Sequence, residues 1–215
     1  MNENLTGAYD ARPWAIMASR TVSTVFHPFL MPTYLLALLF FGRTAFALYS
    51  LRFKIYIAGV VLLYTLVIPA LSVALLRLSG RISSLRLDKR DERILPLAIC
   101  ALCCIICAMT IRRIPSAILL RRIMLAAACC QILCLAVSRF WKISLHLTAA
   151  GGFVAVIAVL GFAGTGRLTT ALAAAIVVSG MLASARLYLG EHNLRQVAAG
   201  FAGGFITAAV SLLLL

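Results

Sequence analysis

Long apolar runs separated by short polar ones set the pattern of this chain. The runs lie near residues 28–50, 53–78, 95–111, 116–138, 147–164, 168–185 and 197–215. A helix needs about 20 apolar residues to cross a bilayer. The third and fifth runs are short by that measure, so the pattern predicts six or seven crossings. No run alternates as barrel strands do, which leaves helices to satisfy the backbone in lipid. The expected fold is an all-α, polytopic membrane helical bundle. It divides into an N-terminal arm over 1–26 and one transmembrane domain over 27–215.

The arm has two parts. Met1–Asp10 is polar and is not followed by the apolar core and small-residue cleavage site of an export leader. In Ala11–Phe26, Trp14, Met17, Ala18, Val22 and Val25 form one helical stripe, with Ser19, Arg20 and Ser23 opposite. That pattern suits a helix lying in the headgroup plane, and equally a lead-in to the first crossing. His27, directly before Pro28, reads as a structural residue at the entrance of that crossing.

Composition agrees with the class. The chain is 63% hydrophobic and only 12% charged, far from a soluble domain. The net charge of +14 would suggest nucleic acid in a soluble protein. Here the cations sit in short loops beside apolar runs, where anionic headgroups and topology explain them. Membrane lipids are therefore the expected neighbours, and nucleic acid is not an expected partner.

Three polar islands interrupt the runs: Arg81–Arg93, Ser138–His146 and Arg186–Gln196. Two apolar runs separate each island from the next, and an even number of crossings returns the chain to the same side. All three islands are thus expected at one face of the membrane. The remaining loops hold Arg43, Arg52, Lys54, Arg112, Arg113, Arg121, Arg122 and Arg167 and no acid. Lys and Arg on the island side number twelve, and setting aside four that look committed to a site leaves eight against eight; the short, purely basic turn Arg112–Arg122 leans toward the cytoplasm, and with it the islands toward the outside.

The seven cysteines all fall in the third and fourth runs. Cys100, Cys103, Cys104 and Cys107 share one helical stripe, and Cys129, Cys130 and Cys134 follow on the next helix. Surrounded by Ala and Leu, they read as small residues that let two helices approach. Gly151, Gly152, Gly200, Gly203 and Gly204 read the same way, whereas Gly161, Gly164 and Gly166 suit the turn before Leu168.

The islands also carry chemistry. They bring Arg86, Lys89, Arg90, Arg93, Lys142, Arg186 and Arg195 together with His146, His192 and Ser144. Cleaving a phosphate ester needs cations on the non-bridging oxygens, a nucleophile in line and an acid for the leaving oxygen. Arginines meet the first need, and two histidines can meet the others. Asp88, Asp91 and Glu92 are interleaved with cations and make no convincing metal cage. The expected chemistry is metal-free, with no cofactor.

These islands resemble the three-part signature of the type-2 phosphatidic acid phosphatase superfamily, whose fold is shared with vanadium haloperoxidases. That signature reads Lys-x6-Arg-Pro, Pro-Ser-Gly-His and Ser-Arg-x5-His-x3-Asp. Here the third part is Ala185-Arg186, five residues, His192, three residues and Gln196. The second is Ile143-Ser144-Leu145-His146. The first is Arg86, six residues and Arg93, with Lys89 and Pro96 nearby. The resemblance covers residues 80–205. It implies that His192 attacks phosphorus to form a phosphohistidine and that His146 protonates the leaving oxygen. It also implies that Arg186, Arg93 and either Arg86 or Lys89 clamp the phosphate, with the Ser144 region donating hydrogen bonds. Gln196 stands where the family has the aspartate that orients the nucleophile, Leu145 where it has glycine, and Ile94 where it has proline.

The expected activity is hydrolysis of a phosphomonoester or diphosphate of a lipid: polyprenyl, glycerophospholipid or lipid A in type. The expected setting is a bacterial-type inner membrane, with the site facing the periplasm or outside. Two rivals remain: a phosphotransferase using another lipid as acceptor, and a non-catalytic lipid-phosphate binder or transporter.

Overall fold

The computed structural model describes residues 12–84 and 90–215. Arg86 and Lys89, two of the expected phosphate ligands, and the first part of the N-terminal arm lie outside the described residues. Nine α-helices follow in order among those described: α1 (Pro13–Val25), α2 (Met31–Phe41), α3 (Leu51–Leu62), α4 (Ile68–Leu78), α5 (Arg90–Thr110), α6 (Ile118–Ser138), α7 (Leu145–Phe162), α8 (Thr169–Tyr188) and α9 (Leu194–Leu214). Seven segments among the described residues are long and apolar enough to cross a membrane: Pro13–Phe41, Leu51–Leu78, Glu92–Thr110, Pro115–Ser138, Leu145–Phe162, Thr169–Tyr188 and Leu194–Leu214. The protein is an all-α, polytopic membrane bundle.

The first segment differs from the sequence expectation. It begins at Pro13 rather than near residue 28, and it is broken in the middle. His27 is extended (φ −66°, ψ 140°) because the Pro28 ring crowds an α conformation in the residue before it. The chain leaves α1, makes a 3₁₀ turn over Pro28–Leu30 and starts again as α2. The apolar stripe of α1 faces outward, with Trp14 and Met17 exposed and Ser23 buried. Between α3 and α4 the helix widens to a π turn over Leu63–Val67. Pro69, just beyond it, lacks an N–H for the normal ladder, and a wider turn accommodates that loss.

α7 is apolar on every side, as a central helix must be, and its side chains from Leu147 to Leu160 fill the core. α9 lies directly against it. A Cβ at Gly204 would run into the backbone of Thr148, one at Gly151 into Phe201 O, and one at Gly200 would come 2.8 Å from Ser144 O. Glycine alone allows this approach. Outward-facing Ile55, Leu71, Leu75, Ile176, Val177, Ile206 and Leu213 present the apolar surface that lipid requires.

The ends of the bundle sort as the parity of crossings demands. At one end the connections 42–50, 111–117 and 163–168 meet. Ala45 N donates to Thr165 O (3.1 Å), Arg167 N to Arg43 O (3.0 Å) and Tyr49 Oη to Ser116 O (3.3 Å). Arg93, His146, Arg186 and His192, from the three islands, lie together at the other end.

Candidate active site at the polar end of the bundle

α8 ends in a Schellman turn. Glu191 N donates to Arg186 O (3.3 Å) and Gly190 N to Leu187 O (3.0 Å). Gly190 takes the left-handed φ of 66° that this turn requires and that a side chain would resist. The reversal carries Glu191 back to Arg186, whose Nη2 it meets at 2.9 Å. It also delivers His192 to the start of α9.

That start is a capping box. The Asn193 side chain accepts from Gln196 N (3.0 Å), and Gln196 Oε1 accepts from Asn193 N (3.2 Å). A backbone N–H can only donate, so the Gln196 atom it meets is the oxygen. The same oxygen lies 3.1 Å from His192 Nδ1. His192 therefore donates from Nδ1, and its lone pair is on Nε2. Gln196 supplies the orienting contact that the resemblance assigns to an aspartate, while Glu191 is engaged by Arg186.

His192 is 8% exposed. Burial pulls its pKa down to about 4. The positive charges of Arg186, Arg93 and Lys142 pull the same way, and the Gln196 hydrogen bond opposes them. At neutral pH the ring is uncharged, as a nitrogen nucleophile must be.

Arg93 and Arg186 are 4% and 8% exposed, unusually buried for arginine. Arg93 Nη1 donates to Ile143 O (3.4 Å), joining the first island to the second. Arg186 Nε is buried without a hydrogen-bond partner among the described residues. Ser144 is fully buried behind the wall of the site, its hydroxyl likewise without a hydrogen-bond partner.

Arg93, His146, Arg186, Glu191 and His192 line a single cavity of about 700 Å³. Four of the expected site residues, drawn from all three islands, thus share one space. Neither Ser144 nor Gln196 is among its lining residues; Gln196 touches it through His192.

His146 Nε2 lies 3.1 Å from Ser23 O. A carbonyl only accepts, so Nε2 carries the proton and donates it to α1. The ring meets His27 edge-on, with centroids 5.5 Å apart. His27 Nδ1 accepts from Phe29 N (3.3 Å), which leaves the His27 proton on Nε2. His27, Arg20, Ser23 and Thr24 also line the cavity. The sequence reading made His27 structural and gave α1 no part in the site. The polar face of α1 was visible in sequence, but no local pattern tells that it closes over His146, more than 100 residues away. The capping box Asn193-x-x-Gln196 was legible as a helix-start motif and was missed.

No family model, no curated protein and no solved structure matches the chain.

Proposed function

We propose that this protein is an integral-membrane lipid phosphatase, hydrolysing a phosphomonoester or diphosphate of a lipid without a metal. The resemblance of its islands to the type-2 phosphatidic acid phosphatase signature supports the reading. The observation that carries it is the shared cavity, where buried Arg93 and Arg186 flank a neutral His192 whose Nδ1–H is held and whose Nε2 bears the lone pair.

In the first step His192 Nε2 attacks phosphorus. The P–N bond forms, the P–O bond to the lipid breaks, and the leaving oxygen takes a proton. Arg93 and Arg186 offset the charge gathering on the non-bridging oxygens. His146 is the donor that the resemblance implies. Because its Nε2–H is committed to Ser23, we assign the acid role to the His146–His27 pair carrying one additional proton as an imidazolium; passing that proton to the leaving oxygen returns both rings to the neutral tautomers these hydrogen bonds define. In the second step water attacks phosphorus, the P–N bond breaks, the water's proton passes to the same pair, and phosphate leaves. Gln196 holds the ring on line through both steps.

The short, purely basic turn Arg112–Arg122 favours the cytoplasm for the far end of the bundle. The cavity would then open toward the outer face of a bacterial-type inner membrane. The binder or transporter reading draws on one specific feature: Glu191 already occupies the Arg186 guanidinium and would compete with phosphate there.

The test is phosphate release by purified protein from a panel of lipid phosphates, without an added acceptor. Wild type is expected to turn over at least one, and His192→Ala to lose at least about a thousand-fold, as nucleophile removal does elsewhere. Equal background rates for the two proteins would refute the enzyme reading.

A further inference from the structure

The cavity does not end at the polar groups. On α5 its wall runs from Arg93 to Cys104, on α6 from Cys134 to Ile123, and on α7 from His146 to Val156. At 1.5 Å per residue, each helix independently gives a depth of about 15–17 Å. That is about half of the ~30 Å hydrocarbon thickness of a bilayer. The space therefore reaches from the cations to the middle of the membrane.

Its character changes along that path. Arg20, His27, Arg93, His146, Arg186 and His192 crowd one end. Deeper in, the wall is made by small or apolar residues such as Cys100, Cys104, Ala126, Ala127, Cys130 and Gly152. The hydroxyls there are turned to their own helices: Thr65 Oγ1 donates to Val61 O (2.8 Å) and Thr148 Oγ1 to Ser144 O (3.0 Å). Gln131 and Tyr64 add polar atoms to this wall; the remaining lining offers water few partners and suits alkyl groups. The spacing that lets α5 and α6 approach also hollows the space beside them: Cys100 and Cys104 are four apart on one helix, as are Cys130 and Cys134 on the other, and all four line it. The π turn completes the wall with Tyr64, Thr65 and Leu66.

We infer that this deep arm takes one apolar chain of the phosphorylated substrate end-on, inside the bundle, and so measures its length. The inference rests on the proposed function for what happens at the phosphorus. The substrate class it names is a phosphate ester carrying at least one long, unbranched or isoprenoid chain, in preference to a short or water-soluble ester. Continuity with the buried cations identifies the occupant: a group that enters this arm has its polar end at Arg93 and Arg186.

The experiment has two arms. In the first, n-alkyl monophosphates from butyl to hexadecyl are assayed with wild type, Cys104→Phe, Ala127→Phe and the outward-facing control Leu102→Phe, which alters the lipid-exposed side of α5. For wild type and the control, kcat/KM is expected to rise with chain length. In both channel variants the hexadecyl-to-butyl ratio falls at least tenfold. An unchanged ratio in both channel variants, or no length dependence in wild type, would overturn the inference. The second arm needs no turnover. His192→Ala protein is photolysed with a hexadecyl phosphate bearing a terminal diazirine, and the labelled residues are mapped. Labels within Cys100–Cys104 or Ile123–Ala127, on side chains lining the cavity, support the channel. Labels confined to outward residues such as Leu102 and Ile132 overturn it. Interior labelling together with no hydrolysis of any ester would leave the channel standing as a binding site and defeat the phosphatase reading alone.

Discussion

At one end of the bundle Arg93 and Arg186 are buried around a cavity; at the other, Arg43, Arg112, Arg113 and Arg167 stand exposed in short loops and Arg52 in the first turn of α3. Both ends are basic, but for different physical reasons. Exposed arginines keep their hydration, and beside apolar helices such charges bias orientation. A buried arginine loses hydration and requires partners in return. Arg93 takes Ile143 O and Arg186 takes Glu191, while Arg186 Nε remains without a hydrogen bond among the described residues. Counting charges along the sequence weighs the two ends alike. Burial separates a site from a topology signal.

The same substitution at the two ends should sharpen that difference most. Arg186→Ala is expected to lower kcat/KM by about 10²–10³-fold, the scale seen when one transition-state donor is removed. Arg112→Ala should leave it within twofold. Equal effects in a phosphate-release assay would dissolve the contrast. Next in size is a packing change that holds the polar end together. Gly204→Ala places a methyl against the Thr148 backbone and should destabilise the bundle by about 1–3 kcal/mol. Gly180→Ala, inside α8 where a Cβ meets nothing within 4 Å, should not destabilise and should gain up to about 1 kcal/mol. Thermal unfolding in one detergent compares them directly.

A smaller effect concerns acidity. With the His192 pKa pulled down to about 4 by burial and by neighbouring cations, the ring stays a free base well below the ordinary histidine range. The acid limb of activity is expected near pH 4 rather than near the ordinary histidine value of 6.5. The sign for stability follows: the unfolded chain binds this proton first, so the His192 contribution is whole above about 6.5 and is lost as pH falls toward 4. An acid limb near 6.5 in the wild type that tracks His192 would contradict the burial argument. The smallest change is expected for Gln196→Glu, which keeps the reach to both Asn193 N and His192 Nδ1 and adds a charge. Activity should stay within about tenfold, and the acid limb should move up, since a carboxylate favours the imidazolium. Loss of activity in a folded Gln196→Glu protein would show that Gln196 does not orient His192.

Much of the fold was legible because lipid leaves few choices. Apolar runs of crossing length and their parity placed all three islands at one end, and the glycines of α7 and α9 marked a close approach. The candidate site was legible in part. Arg93, His146, Arg186 and His192 carry recognisable spacing within their own segments. His27 does not, because its place beside His146 arises from how α1 and the 3₁₀ turn fold over α7. The break at His27-Pro28 was written in the dipeptide, but the apolar stripe before it read equally well as a surface helix. The deep cavity was not legible at all. Small residues signal close approach in a sequence, and only packing tells whether the space they leave is filled by a neighbour or kept open.

The capping box of α9 has one more consequence. A single amide oxygen serves both the first turn of the helix and the imidazole beside it, so the proton position on His192 is tied to whether that turn is wound. Anything that frays the turn, whether heat, a thinner bilayer or a strained neighbour, would let the two ring nitrogens exchange roles before the helix itself is lost. Reactivity would then fade ahead of structure.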